Sequence, residues 1–293
     1  MTVDSFINCL INIVGGSLMM RRKVFQVLSG FCVALLFLVL SAKAEAVELQ
    51  WFGQAAVKIK TVTGKVILID PFITKNPKTP KELKDLSKLG KVDLILLTHG
   101  HGDHIGDTVK IAKMTKAKVA LNADMGHTFA SLEWLSYKQL IRFNKSGPIR
   151  PIGEGITITM VHAEHSSEVV YSNPETKKKE VHPGGEPAGY IIELENGLKI
   201  YHAGDTGVFA DMKFIGEYYK PDIALLPIGG HFTMDPAHAA YAVKNFLKTK
   251  KVIPIHYGTF PPLKGTPEQL IKELGVFPTE VIVMKPGDIK KFE

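Results

Sequence analysis

Within six residues the chain carries four side chains able to bind a metal: His99, His101, Asp103 and His104, in the run Thr98-His99-Gly100-His101-Gly102-Asp103-His104. In an extended segment alternate side chains leave the backbone on one side, so His99 and His101 can grip one cation together. Gly100 and Gly102 let the backbone bend without Cβ clashes, which swings Asp103 and His104 toward a second cation nearby. Imidazole and carboxylate suit Zn, Mn or Fe. Such ions suit hydrolysis, because even one Zn²⁺ brings a bound water to about pKa 7. A lone loop histidine is ordinarily a surface residue, but three with an aspartate at fixed spacing read as the floor of a two-metal site.

The elements that must position these groups alternate strand and helix. The apolar run Val92–Leu97 reads as a buried strand delivering the cluster, and from Gly106 onward, over Asp107–Lys116, the pattern is helical. Upstream, Val47–Lys60 and Lys65–Asp70 read as two strands about the turn Thr63-Gly64. Downstream, strands are expected at Lys118–Asn122, Ile156–Val161, Gly189–Leu194, Leu198–Tyr201, Pro221–Ile228 and Lys251–Ile255, with a closing strand segment over Glu280–Phe292. Helices are expected at Ala123–Ser136, Pro236–Leu247 and Pro267–Leu274, and Ser172–Pro187 reads as an exposed excursion. His162 and His165 both follow a strand, and the residues alone leave either as a ligand. Asp205 and His256 each sit just beyond a strand too, where open α/β architectures place their sites.

The cluster and this order of strand-end residues resemble the metallo-β-lactamase superfamily, over essentially all of Val47–Phe292. Ala163-Glu164-His165-Ser166 and Gly229-Gly230-His231-Phe232-Thr233-Met234 are similar to its lactonase-like branch of metal-dependent hydrolases, which includes ascorbate-6-phosphate lactonase and N-acylphosphatidylethanolamine phospholipase D. The resemblance implies an α/β, four-layer αββα sandwich with the metals at one edge. It implies one metal on His99, His101 and His165, a second on Asp103, His104 and His256, and Asp205, within a Gly-Asp-Thr, bridging the two. Asp70 is implied to orient a ligand, and His231 to contact substrate. Asp103 is given a second duty as a proton relay. No internal repeat marks the two halves expected of that fold.

The full chain has a formal charge of +7 at pH 7 and two cysteines, Cys9 and Cys32. Met20-Arg21-Arg22-Lys23, the apolar run through Leu40 and the small residues Ser41–Ala46 have the order of a secretory signal. The expected organisation is an extension over 1–19 that translation from Met20 would omit, a signal peptide over 20–46 and a single hydrolase domain over 47–293, exported to the periplasm with no retained membrane span. Both cysteines would leave with the signal, so the mature chain would hold metal through His and carboxylate alone. Its scattered basic residues carry no aromatic platform for nucleic acid and suit a small or lipid-derived anionic substrate, with a homo-oligomer allowed.

The function expected from the sequence is a binuclear hydrolase whose metal-bridging hydroxide attacks an ester, lactone or phosphodiester, with two divalent ions (Zn, or Mn or Fe) and no Ser or Cys nucleophile. An iron-dependent oxidoreductase of the same fold and a catalytically silent binding protein are the alternatives.

Overall fold

A computed structural model describes residues 45–293 of the chain. The extension, the signal segment up to residue 44 and both cysteines lie outside the described residues. In chain order the strands are β1 (Val47–Gly53), β2 (Ala56–Lys60), β3 (Val66–Ile69), β4 (Leu94–Leu96), β5 (Lys118–Asn122), β6 (Leu140–Phe143), β7 (Pro148–Ile149) and β8 (Thr157–His162). There follow β9 (Glu168–Ser172), β10 (Lys179–Pro183), β11 (Ala188–Glu193), β12 (Lys199–His202), β13 (Ile223–Pro227), β14 (Lys251–Ile255), β15 (Glu280–Val281) and β16 (Ile289–Phe292).

Two seven-stranded sheets result, in the orders β16-β1-β2-β3-β4-β5-β6 and β15-β14-β13-β12-β11-β8-β7, with β9 and β10 forming a separate ribbon. Period-two burial explains how the sheets stack. Ile67, Ile69, Leu94 and Leu96 of the first sheet meet Ile158, Tyr190, Ile192, Ile200 and Ile253 of the second in one inner core. The alternate residues Leu68, Ile95 and Val119 face outward onto Ile111, Met125 and Phe129 of the helices α2 (Thr108–Thr115) and α3 (Ala123–Ser131). On the far side Ile191, Ala224 and Val252 pack beneath Ala239 of α5 (Pro236–Ala242) and Leu270 of α6 (Pro267–Leu274), with Met212 of the short α4 (Met212–Phe214). Strands covered on both faces read as continuous apolar runs, and each fully buried Leu or Ile contributes about 1.5–3 kcal/mol. The outcome is a mixed α/β sandwich of four layers, as expected.

Several local expectations need correction. Val47–Lys60 is two strands, folded back at Gln54–Ala55, where Gly53 and Gln54 take φ of 101° and 53°. Both arms are apolar, so periodicity hides the turn. The helix expected over Ala123–Ser136 stops at Ser131, because Glu133 takes φ 54° and the chain turns Trp134 inward onto Phe129 with ring centroids 5.0 Å apart. Glu280–Phe292 is two short strands in opposite sheets, β15 beside β14 and β16 beside β1. The Ser172–Pro187 excursion is largely the ribbon's second strand and its turn, with Val170 and Val181 paired on it and exposed.

Candidate metal centre

The cluster sits where β4 ends. His99 leaves the strand buried, His101 follows, and Asp103 and His104 fall on a single helical turn, α1 (Gly102–Ile105), rather than on a loop. Gly106 breaks that turn from α2 with φ 44°, since a Cβ there would lie 2.6 Å from the Pro71 carbonyl oxygen. Gly100 has a comparable reason to be glycine, as its Cβ would stand 2.8 Å from the Glu168 carbonyl of the ribbon. Among the described residues a Cβ on Gly102 meets nothing within 4 Å, so of the two cluster glycines it is Gly100 that space requires there.

Asp70, at the end of β3, sets the rings. Its Oδ1 accepts from the Thr98 amide at 2.9 Å, and its Oδ2 accepts from Thr98 Oγ1 at 2.6 Å and from His104 Nδ1 at 2.8 Å. Since the Thr98 hydroxyl donates to Asp70, it accepts from His99 Nδ1, 2.9 Å away. Both rings are thereby fixed with protonated Nδ1, and each turns the lone pair of Nε2 toward the site. His101 is held the opposite way round. Its Nε2 donates to Glu168 Oε2 at 3.2 Å, and Nδ1 faces His99 Nε2 at 2.9 Å.

Three later strand ends close the cluster. His165, past β8, brings its ring to 5.1 Å from those of His99 and His101, with Nε2 3.6 Å from Asp205 Oδ2. Asp205, past β12, places Oδ2 3.3 Å from His104 Nε2 and 2.9 Å from His256 Nε2. His256, past β14, stands 3.7 Å from Asp103 Oδ2. Ligand-capable atoms within 4.8 Å of one another form three overlapping groups: His99, His101 and His165; Asp103, His104 and His256; and His99, His104 and Asp205.

The buried charges are poised for cations. Burial works to raise the Asp205 carboxyl, but His256 and His104 hold it well below its usual range. Asp103 is lowered against burial by the same neighbours. Burial opposes a charge on His104, yet Asp205, Asp70 and Asp103 raise it well above the ordinary imidazole value, and Asp205 in the same way brings His256 to about 8. His99 and His165 are lowered, chiefly by burial. Protons on His104 and His256 are thus what the protein's own groups can offer its carboxylates. Among the described residues, His104 Nε2 and Asp205 Oδ1 are buried without a hydrogen-bond partner. An orphaned imidazole nitrogen beside an orphaned carboxylate oxygen, in a set of nitrogen and oxygen donors without sulfur, fits a divalent cation of the Zn, Mn or Fe type.

All seven residues expected as ligands are therefore brought together, and His165 rather than His162 joins them, His162 being exposed on β8. His231 is exposed at φ 62° with its ring against Phe232, and no hydrogen bond ties it to the cluster among the described residues. His127 pairs with Tyr137 and Arg142, His182 with Glu180, and His238 with Asp235. His202 is buried with Nε2 on the Ala55 carbonyl at 3.0 Å.

Three groups at the site were not foreseen. Gln54 Nε2 donates to Asp103 Oδ2 at 2.8 Å and stands 2.6 Å from His256 Nε2. Glu168 holds His101, and Ser167 Oγ accepts from the Gly100 amide at 3.1 Å. Glu168 lies 67 residues from its partner, and Gln54 lies 49 and 202 from its two, so no local spacing signals them.

Known proteins share this architecture. A family profile described as a beta-lactamase superfamily domain matches residues 65–257. A UPF0173 metal-dependent hydrolase of Polaromonas sp. is 54% identical over 245 residues, covering 84% of this chain and 89% of that protein. A second, from Cupriavidus metallidurans, is 55% identical over 242 residues, covering 82% and 83%. Among solved structures, Igni18, a metallo hydrolase from Ignicoccus hospitalis, superposes with a TM-score of 0.73 at 38% identity, covering 85% of this chain and 99% of its own.

Proposed function

The chain belongs to the metallo-β-lactamase superfamily and is a metal-dependent hydrolase, and from that premise we propose that it works with two divalent cations on a small or lipid-derived anionic ester, lactone or phosphodiester. The observation that carries the two-metal reading is the overlap of three ligand-capable groups, with Asp205 between the other two. We assign one cation to His99, His101 and His165, the other to Asp103, His104 and His256, and Asp205 to both.

When bound, such a pair of cations supplies an activated water and charge stabilisation for a developing oxyanion. The chain's own part is to orient and to move protons. Asp70 and Thr98 keep His99 and His104 in the tautomer whose Nε2 can bind, and Glu168 does the same for Nδ1 of His101. Asp103 is the carboxylate of the set that solvent reaches, with its side chain 28% exposed against 4% for Asp205. Held low, it is ionised at neutral pH, and we assign it the uptake of the attacking water's proton and its delivery to solvent or leaving group. Asp205 is too enclosed for that exchange. His231, on the exposed loop after β13, is assigned to the substrate side. The leading segment is assigned to export into the periplasm, which N-terminal sequencing of secreted protein tests.

The test of the hydrolytic reading is elemental analysis of the purified mature chain beside hydrolysis of bis-p-nitrophenyl phosphate and a lactone panel, with His101→Ala and Asp205→Ala. About two Zn or Mn per chain, with hydrolysis lost in both variants, is the expected result. One cation per chain with full activity overturns the binuclear assignment. Iron with oxygen consumption instead replaces hydrolysis by redox chemistry.

A further inference from the structure

We propose that the ribbon of β9 and β10 is the wall along which the apolar chain of the substrate lies, so that the ester, lactone or phosphodiester cleaved is an amphiphile rather than a small polar molecule; this rests on the hydrolytic reading above. The ribbon starts at the metal centre. At its root Ser167 Oγ accepts from the Gly100 amide at 3.1 Å, and Glu168 Oε2 lies 3.2 Å from His101 Nε2. The returning strand is tied down as well, where Thr128 Oγ1 and Asn122 Nδ2 donate to the carbonyls of Pro183 and Gly184 at 2.6 and 2.8 Å. Both strands are therefore anchored at the end beside His101.

Along the ribbon Glu168 opposes Pro183, Val170 opposes Val181 and Ser172 opposes Lys179. Alternation puts these side chains on one face, and all but the half-buried Glu168 are exposed. The other face is used for packing, with Val169 fully buried in the outer core and the Tyr171 ring 6.0 Å from Trp134. Because Glu168 reaches His101 from the exposed face, that face opens on the metal side. Its chemistry changes with distance. Pro183 stands beside Glu168, and Val170 and Val181, 50% and 71% exposed, follow. At about 3.3 Å per residue the valines lie about 7 Å beyond Glu168, and the polar pair Ser172 and Lys179 about 13 Å beyond it. An apolar strip thus runs from the metals to a polar end. Two valines and a proline fall far short of the roughly 800 Å² per partner that a stable protein interface needs. A hydrocarbon chain needs only a strip one side chain wide. Cross-strand β-branched pairs also strengthen a ribbon, but threonine serves that purpose as valine does.

The experiment compares a short with a long-chain member in each of three series: p-nitrophenyl acetate against octanoate, methyl against octyl p-nitrophenyl phosphate, and γ-butyrolactone against its octyl-substituted homologue. Metal-loaded wild type, the double variant Val170→Thr with Val181→Thr, and Val276→Thr, at a fully exposed valine just after α6, are measured in parallel. Circular dichroism checks folding and sedimentation the state of association. A fully covered methylene is worth about fourfold in binding, and one wall covers only part of each. Wild type is therefore expected to favour the long member by about tenfold or more in kcat/KM. The double variant should lose about fivefold or more of that preference, and Val276→Thr should keep it. A wild-type preference near unity, or an equal preference in the double variant, overturns the proposal and leaves hydrolysis itself standing. A dimeric wild type that becomes monomeric in the double variant, with its preference unchanged, shows the valines to be a contact between copies and overturns it too. Should the double variant fail to fold, Val181→Thr decides alone. No turnover of any series by wild type defeats the hydrolytic reading, and is distinguishable because it appears before chain lengths are compared.

Discussion

The two sheets are built alike and finished differently. Reading β16 to β6 in one and β7 to β15 in the other, each has three antiparallel junctions followed by three parallel ones. β3 and β12 are therefore equivalent strands, and each is followed by a buried aspartate, Asp70 at 0% and Asp205 at 3% exposure. Burial does not separate them, but partners do. Asp70 has both oxygens occupied by Thr98 and His104. Among the described residues Asp205 has no hydrogen bond at Oδ1, and Oδ2 is surrounded by three imidazoles. One fold position thus yields a scaffold carboxylate when the protein satisfies it, and a site carboxylate when the protein leaves it for something else.

The sharpest way to break this comparison is to remove Asp205. Asp205→Ala is expected to lower hydrolysis by about three orders of magnitude or more, as the electrostatic heart of the site goes. It should cost the metal-free chain less than the loss of Asp70 does, because only Oδ2 of Asp205 has partners in the protein, the imidazoles of His256 and His104. Steady-state rates and urea unfolding of the metal-free protein check the two halves of that statement.

Removing Asp70 should reverse the pattern. Asp70→Ala leaves the Thr98 amide and His104 Nδ1 buried without acceptors, and a broken buried pair of this kind costs about 3 kcal/mol or more. Urea unfolding of the metal-free protein should show that loss in full. Metal affinity should fall too, by about 10–100-fold, since the tautomers of His99 and His104 are no longer fixed. Equal metal-free stability of the Asp70→Ala and Asp205→Ala chains would mean that the two aspartates are not the contrasting pair proposed.

The same contrast explains what the sequence could tell. The run from His99 to His104 was legible because its four ligands lie on one strand end and one helical turn, where spacing alone fixes them. Asp205 and His256 were legible by rank, as residues just beyond strands in an expected order. The layering came from the resemblance to the superfamily, while runs such as Leu94–Leu97, apolar on both faces, marked the buried strands. The turn at Gln54–Ala55 was not legible, because Gly-Gln-Ala between two apolar arms carries neither the Asn-Gly nor the Asp-Gly signal of a tight hairpin. With that turn hidden, Gln54 stayed inside a supposed strand. Glu168 was hidden differently, since it precedes the Ser172–Pro187 excursion in a strand the sequence does not signal and lies 67 residues from His101.

Glu168 offers the smallest and most discriminating change. It holds His101 as Asp70 holds His104, by accepting from the ring nitrogen turned away from the site, but it does so at the surface. The Asp70–His104 pair is fully buried at 2.8 Å, whereas Glu168 is 44% exposed and lies 3.2 Å from its ring. Water competes for an exposed pair and can replace the carboxylate, so the bond is worth little to folding. Glu168→Ala is therefore expected to change stability by less than about 0.5 kcal/mol. It should still weaken the cation held by His99, His101 and His165, by about tenfold, because water fixes the His101 tautomer less firmly than a carboxylate. Co²⁺ titration should place the whole effect on that cation and none on the one shared by Asp103, His104 and His256. An equal loss at both cations would show that the two positions are coupled through Asp205 more tightly than their separate supports suggest.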